Sequence, residues 1–145
     1  MRLYLDTSAL LKLYVEEDGS LLVHERWSQA SAVATSLVTL VEARAALARR
    51  RHRSDLSPAQ YRRGVQQFTD DWERLVRIEV NERLVTRAAD LADAHRLRGY
   101  DAIHLASAVL AAERFTEETI FGSWDDALDA AAAREGLHLL RPRRR

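Results

Sequence analysis

Short apolar runs along the chain alternate with longer segments in which apolar side chains recur every three or four positions. The short runs predict buried strands, which we expect over residues 2–5, 32–35, 76–80, 119–121 and 137–140. The longer segments predict helices, which we expect over residues 8–15, 20–29, 37–48, 58–75, 82–98, 100–114 and 126–135. Strands and helices in alternation are typical of a parallel sheet covered by helices on both faces. The pattern therefore predicts an α/β fold with a central, mainly parallel sheet of about five strands.

Particular residues fit the ends of these segments. Thr7 or Ser8 is expected to cap the first helix, and Pro58 suits the first position of its helix, where its missing N–H costs little. Gly99 and Gly136 are expected to end the helices that precede them. The chain shows no internal repeat and no long linker, and 47% hydrophobic content can bury one core of ordinary size. We therefore expect one domain over all 145 residues.

Four acidic residues stand where the predicted strands end or the predicted helices begin. Asp6 follows the first strand, and Asp125 follows the fourth. Glu42 and Asp101 lie in the early turns of otherwise apolar helices. By itself, Asp6 is also explained as a helix cap and Asp101 as a helix-start residue, and Glu42 by pairing with Arg44 or by an exposed strip. Because ligands of open parallel sheets bind outside the carboxyl ends of the strands, we expect the four side chains to share one crevice.

The chemistry expected of this crevice is that of a divalent-metal site. Four carboxylates close together repel one another, so at least one should have a raised pKa when no cation is bound. The chain has no Cys, and hard carboxylate oxygens favour Mg²⁺ or Mn²⁺ over zinc. Such a site lowers the pKa of a bound water and stabilises charge on a phosphodiester, as metal-dependent nucleases do. No phosphate-binding glycine loop and no Ser-His-Asp set offers a competing site.

Four segments, taken in order, resemble the motifs of the PIN-domain family and, more narrowly, of its VapC-type toxins: residues 5–10, 36–43, 98–106 and 122–128. The resemblance extends over nearly the whole chain. It implies an acidic metal-binding quartet and two supporting hydroxyls, which are Asp6, Glu42, Asp101 and Asp125, and Ser8 and Ser123. The last segment contains Ser-Trp-Asp-Asp where such proteins often have Thr, a variable residue and one Asp. Its spacing to Leu128 favours Asp125, with Asp126 as the alternative.

The resemblance also implies an activity and partners. It implies a three-layer α/β/α PIN-like fold and a Mg²⁺- or Mn²⁺-dependent endoribonuclease. It further implies a homodimer, a hetero-oligomer with a cognate VapB-like antitoxin encoded nearby, and RNA as the substrate. A non-catalytic PIN-fold module that binds protein or RNA is the alternative, and such a module would be expected to lack one of the acids.

Charge and the remaining polar residues add further candidates. The formal net charge is zero, which gives no strong overall attraction to nucleic acid. Candidate contacts with RNA or with the antitoxin are the arginines after the helix of Glu42 and one aromatic residue: Arg49, Arg50, Arg51, Arg53 and Trp124. Residues 141–145 form a basic tail whose end we expect to be disordered. His104 is expected to be a hydrogen-bonded structural histidine, with a ligand or general-base role as the alternative.

Two features of the sequence predict that the protein acts in the cytoplasm. The N-terminus lacks the basic and then apolar pattern of a secretory signal. No apolar run approaches the roughly 20 residues that a membrane-spanning helix needs. We therefore expect no membrane partner.

Overall fold

A computed structural model of the chain describes residues 1–142. Within that part, five strands form one sheet: β1 (Arg2–Leu5), β2 (Ala32–Ser36), β3 (Val76–Ile78), β4 (Thr119–Gly122) and β5 (His138–Leu139). Seven α-helices accompany them in the same part: α1 (Thr7–Leu10), α2 (Ser20–Gln29), α3 (Thr39–His52), α4 (Pro58–Trp72), α5 (Glu82–His95), α6 (Gly99–Arg114) and α7 (Asp126–Arg134). A 3₁₀ turn, Leu11–Leu13, continues α1. The predicted α/β class and number of strands are confirmed.

The order of the strands places β1 at the centre of the sheet. The order is β3-β2-β1-β4-β5, and every neighbouring pair is parallel. The chain moves outward on one side of β1 through β2 and β3, and on the other side through β4 and β5. The strand order therefore reverses beside β1, and a crevice forms outside the carboxyl ends of the strands at such a reversal. The residues after Leu5 and Gly122 lie at that edge.

Helices on the two faces of the sheet bury two separate apolar cores. Successive side chains of a strand point to opposite faces, so Leu3 and Leu5 join the core that α1, α2, α3 and α4 cover. Tyr4 joins the opposite core, which includes Leu105 of α6 and Leu128 of α7. Helix α5 also contributes to this second core. The arrangement is the expected three-layer α/β/α fold.

The junction between α5 and α6 differs from the prediction. Gly99 was expected to end a helix, but it is the first residue of α6. The preceding helix ends at His95, and Arg96 turns the chain in the left-handed conformation with φ of +55°. A glycine is compatible with either position, so the residue type alone could not decide. As a consequence Arg98 becomes the N-cap residue of α6, three positions before Asp101.

Other boundaries were predicted less precisely than the elements themselves. The first helix is a single α-helical turn whose cap is Asp6, and not Thr7 or Ser8 as expected. Helix α4 ends at Trp72, three residues earlier than expected, and β3 ends at Ile78, two residues earlier. Element ends depend on caps and on packing partners, which periodicity does not contain.

The C-terminal segment is only partly the tail that was expected. Arg141 is half-buried and hydrogen-bonded to the main body of the fold. Residues 143–145, to which the prediction of disorder applied, lie outside the described residues. None of the helices in residues 1–142 has the length and apolar character needed to cross a bilayer.

Candidate active site

A crevice of about 440 Å³ opens outside the carboxyl ends of β1 and β4. Its walls are formed by α1, α3, α6 and the loop that follows β4. All four acids predicted from the sequence line it: Asp6, Glu42, Asp101 and Asp125. Four separate segments of the chain thus each contribute one carboxylate to the same cavity. The cavity lies at the carboxyl edge of the sheet, where parallel sheets bind ligands.

Asp6 is the most deeply buried of the four acids, with 4% of its surface exposed. Its Oδ1 accepts hydrogen bonds from the N–H of Ala9 at 2.9 Å and from the hydroxyl of Ser8 at 2.7 Å. Its Oδ2 accepts a hydrogen bond from the hydroxyl of Ser123 at 2.6 Å. Because a carboxylate offers roughly four lone-pair positions, one position on Oδ2 stays available. The capping role and a ligand role are therefore compatible in the same side chain.

Ser123 links Asp6 to Asp125 through a tight turn after β4. Its hydroxyl donates to Asp6 and accepts a hydrogen bond from the N–H of Asp125 at 3.0 Å. The N–H of Trp124 donates to the hydroxyl of Ser8 at 3.0 Å. Asp125 in turn caps α7 with its Oδ1. The two serines predicted as supports thus lie between two of the acids.

Asp101 stands in the first turn of α6, and 28% of its side chain is exposed. Burial raises the pKa of Asp101, the negative charges of Asp125 and Asp6 raise it further, and Arg98 offsets these effects only in part. The guanidinium of Arg98 lies between two acids, with Nε 3.8 Å from Asp101 Oδ2 and Nη2 4.0 Å from Asp125 Oδ2. The crowding of like charges thus raises the pKa of one acid, as the sequence predicted.

Glu42 forms a hydrogen-bonded pair with His104. Its Oε1 accepts from His104 Nε2 at 2.7 Å and from the Thr7 hydroxyl at 2.7 Å. Because a carboxylate only accepts, this pattern places a hydrogen on Nε2, and the other ring nitrogen, Nδ1, is hydrogen-bonded to the Tyr4 hydroxyl at 2.9 Å. Burial raises the pKa of Glu42, but the hydrogen bonds from His104 and Thr7 together outweigh it, and the pKa lies below its ordinary value. The partner of Glu42 is thus His104, and not Arg44.

Sequence reasoning missed a pair of residues behind the site. Arg141 donates from Nε to the carbonyl oxygen of Ser123 at 2.8 Å and from Nη2 to Asp129 at 2.9 Å. Asp129 is 4% exposed. Burial raises the pKa of Asp129 to about 7 although the charge of Arg141 opposes this. Nothing in the sequence indicated that Asp129, in the first turn of α7, and Arg141, in the basic tail, would be in contact.

A second pocket, of about 380 Å³, adjoins the acidic crevice and has the opposite charge. Four of the predicted contact residues line it: Arg49, Arg50, Arg53 and Trp124. Arg51, the fifth, does not line it, and its guanidinium lies 5.1 Å from the ring centre of Tyr61. The arginine cluster therefore divides into residues that face the site and one that faces elsewhere.

The donors of the acidic crevice suit a hard divalent cation. Within residues 1–142, the oxygens without a close hydrogen bond include both of Asp101, Oδ2 of Asp125 and Oε2 of Glu42. All are of the carboxylate type that Mg²⁺ and Mn²⁺ prefer. No three acidic or histidine side chains in the same residues converge closely enough to hold an ion, although their donor chemistry fits such a metal.

Comparison with known proteins connects this arrangement to a family. The model of the PIN domain matches residues 3–133. Ribonuclease VapC45 and ribonuclease VapC49, both from Mycobacterium tuberculosis, are each 33% identical to the chain over 136 residues. Each match covers 94% of this chain and 92% of the relative.

A solved structure supports the same fold assignment. VapBC-5 from Mycobacterium tuberculosis, a member of the VapBC family of toxin–antitoxin systems, superimposes with a TM-score of 0.63. The match covers 97% of this chain and 98% of the other chain, at 17% sequence identity. At that identity the likeness shows the fold alone.

Proposed function

The chain belongs to the PIN domain family, and we propose that it is a metal-dependent endoribonuclease, the toxin component of a toxin–antitoxin pair. One observation carries the proposal: all four acids of the expected quartet line the same crevice at the carboxyl edge of the sheet. The named ribonucleases among its relatives support RNA as the substrate. No observation favours the non-catalytic alternative, because none of the acids is missing.

The cation would be held principally by Asp6 and Asp101, with Glu42 and Asp125 completing the site directly or through water. A bound Mg²⁺ or Mn²⁺ lowers the pKa of a bound water and stabilises negative charge on a phosphodiester. Asp6 is the fixed point of the site, because three hydrogen bonds and burial hold its carboxylate in place. Glu42 keeps Oε2 free to accept a hydrogen bond from the attacking water, while His104 and Thr7 hold Oε1.

A protein partner is part of this proposal. Leu37, Leu40, Val41 and Tyr100 are exposed to between 41% and 63%, and two of them line the crevice itself. Exposed apolar side chains beside a polar site are typical of a protein interface. The structural neighbour VapBC-5, a member of a family of toxin–antitoxin systems, supports an antitoxin as this partner. We also propose that the toxin itself forms a homodimer.

The first test is cleavage of RNA by the purified protein in Mg²⁺, in Mn²⁺ and in EDTA. Asp101→Asn should reduce cleavage by about 10³-fold, since a metal ligand contributes several kcal/mol to the transition state. The exposed Asp93, on α5, provides a matched control, and Asp93→Asn should cleave as the wild type does. Asp6→Asn should also abolish cleavage, with circular dichroism to show that it folds.

Measurement of the unfolding temperature distinguishes loss of activity from loss of the fold in this test. Because burial and like charges raise the pKa of Asp101, its ionised form destabilises the folded protein at neutral pH without metal. Asp101→Asn should therefore unfold at the same temperature as the wild type or higher in EDTA. Metal-independent cleavage that survives in Asp101→Asn would contradict the proposal.

A further inference from the structure

The basic pocket beside the acidic crevice is built from α3 and the segment after α1. Its charged and aromatic lining consists of Lys12, Glu17, Arg49, Arg50, Arg53 and Trp124. The two cavities are adjacent, because Ser8, Leu11, Ala46 and Arg49 line both. A linear ligand that crosses these shared residues would contact both cavities at once.

The charge of this pocket is only partly neutralised. Glu17 is its single acid, and it already binds Lys12 at 3.1 Å and Arg50 at 2.8 Å. Arg49 and Arg53 are exposed, and neither forms an ion pair within residues 1–142. Two guanidinium groups are thus available to an anionic ligand, and guanidinium is well suited to bind phosphate.

Helix α3 places these arginines in line with the acidic site. Glu42, Arg49 and Arg53 are separated by seven and four positions, so they lie along one face of the helix. At a rise of about 1.5 Å per residue, Arg49 lies about 10 Å from Glu42 along the axis and Arg53 about 16 Å. A stacked strand rises roughly 3.4 Å per nucleotide along its axis, so along such a strand the arginines stand about three to five nucleotides from the acids.

The wall of the basic pocket is connected to the acidic site by hydrogen bonds. The ammonium group of Lys12, which is almost fully buried, lies 4.6 Å from the ring centre of Trp124. The backbone N–H of Trp124 donates to the Ser8 hydroxyl, which itself donates to Asp6. A ligand that occupies the pocket is therefore positioned relative to the carboxylate at the centre of the site.

We propose that the basic pocket is a phosphate-binding subsite, in which Arg49 and Arg53 hold the RNA backbone a few nucleotides from the bond to be cut. The inference rests on the proposed nuclease function and adds how the substrate is held. RNA is favoured over an acidic protein segment because the relatives at 33% identity are named ribonucleases and because RNA has one phosphate per nucleotide for the arginines to bind.

The test compares charge removal on two faces of α3. Arg49→Gln with Arg53→Gln removes the subsite, and Arg44→Gln removes the exposed charge of a residue that lines neither pocket. Binding of a fluorescein-labelled single-stranded RNA of about ten nucleotides is followed by anisotropy, in EDTA, so that no cleavage occurs. The double variant should bind at least about tenfold more weakly, and Arg44→Gln should bind as the wild type does.

Salt and RNA length provide independent readouts. The slope of log K against log salt concentration should fall by about 0.7 for each lost phosphate contact, or about 1.4 in the double variant. In Mn²⁺, the double variant should raise KM with little change in kcat on the long RNA, because the contact is remote from the reacting bond. The loss of kcat/KM should be smaller on an RNA of about three nucleotides, since that RNA is too short to reach Arg53.

The possible outcomes separate the two proposals. If the wild type cleaves RNA but the double variant binds and cuts like Arg44→Gln, the subsite is wrong and the nuclease proposal stands. If no RNA is cleaved in Mg²⁺ or Mn²⁺ but the arginine-dependent binding persists, the subsite stands and the nuclease proposal fails. If the double variant loses binding to polyglutamate and not to RNA, the pocket is a protein-docking site and the inference is overturned.

Discussion

At the scale of single residues, the central feature of the site is that structural and chemical roles coincide in the same carboxylates. Asp6 caps α1 and Asp125 caps α7, and both line the acidic crevice. A cap stabilises a helix by about 1 kcal/mol and fixes the carboxylate at the same time. The fold thereby holds the acids close together although their negative charges repel one another.

Ser123 is expected to position the acids without binding the metal, and its substitution tests this role. Ser123→Ala removes the donor to Asp6 Oδ2 and the acceptor for the N–H of Asp125. We expect the free energy of unfolding to fall by about 1–3 kcal/mol and RNA cleavage to fall by about tenfold or more, with Mn²⁺ titration showing weaker binding. Ser28→Ala is the control, because Ser28 is exposed and bonds only to the carbonyl of Glu25. Equal cleavage by the two variants would show that Ser123 does not position the acids.

The positions of the four acids could be predicted from the local sequence pattern, but the side chains that contact them could not. Each acid follows a strand or begins a helix, so its position can be predicted from local pattern. The partners are distant along the chain: 117 positions separate Ser123 from Asp6, and 100 separate Tyr4 from His104. The serines were found only because a family resemblance identified them, and Tyr4 and Arg98 were not found at all. Such contacts depend on how the helices pack, which no local pattern records.

At the scale of elements, the site depends on short connections at the carboxyl edge of the sheet. The turn after β4 is held against α1 through Trp124 and Ser8, and the loop before α2 passes beneath the Trp124 ring at Gly19. Gly19 has φ of +91°, and a Cβ at that position would overlap the ring. A residue without a side chain is thus required there for two reasons, backbone conformation and close approach.

This double requirement makes Gly19 more sensitive than a glycine that only turns the chain. Gly19→Ala should lower the free energy of unfolding by about 2–4 kcal/mol, because left-handed strain adds to overpacking against Trp124. Gly136→Ala is the matched control: φ is +83°, but nothing lies within 4 Å of a Cβ there. It should cost only about 1–2 kcal/mol of strain. Urea unfolding of the two variants measures the difference, and equal midpoints would refute the close contact.

Element types followed from the sequence, whereas some junctions did not. Every predicted strand and helix has a counterpart because the apolar periodicity and burial agree. The error at Gly99 arose because a non-glycine residue, Arg96, adopts the left-handed turn that ends α5. The order of the strands was not predicted either, since it is set by pairing between segments far apart in the chain.

At the scale of the whole molecule, a net charge of zero conceals a separation of charge. Acids line one cavity and arginines line the adjacent one, so side chains of opposite charge lie close together. Overall charge governs long-range attraction, but the local arrangement governs where a polyanion and a cation bind. Composition therefore could not indicate these two cavities, which arise from the packing of α3 beside the sheet.

Asp129 and Arg141 make the stability of the whole fold depend on pH. Asp129 has a pKa of about 7 in the folded protein, raised by burial, against about 3.9 in an unfolded chain. Between those values the folded state binds more protons than the unfolded state, so the contribution of Asp129 to stability falls as pH rises. Below about pH 4 both states hold the proton, and above about pH 7 both have lost it, so the contribution is constant outside that range.

Asp129→Asn removes the titrating carboxyl group. The difference in stability between the wild type and this variant should therefore show the contribution of Asp129. The free energy of unfolding of the wild type, minus that of Asp129→Asn, should fall from about pH 4 to pH 7 with a slope of up to about 1.4 kcal/mol per pH unit and then level off. Asp126 contacts the same arginine but is 97% exposed, so Asp126→Asn tests whether loss of a contact with Arg141 by itself reproduces the effect. Unfolding midpoints measured at several pH values test this. Parallel curves for the wild type and Asp129→Asn would mean that the ion pair with Arg141 outweighs burial and keeps Asp129 charged throughout.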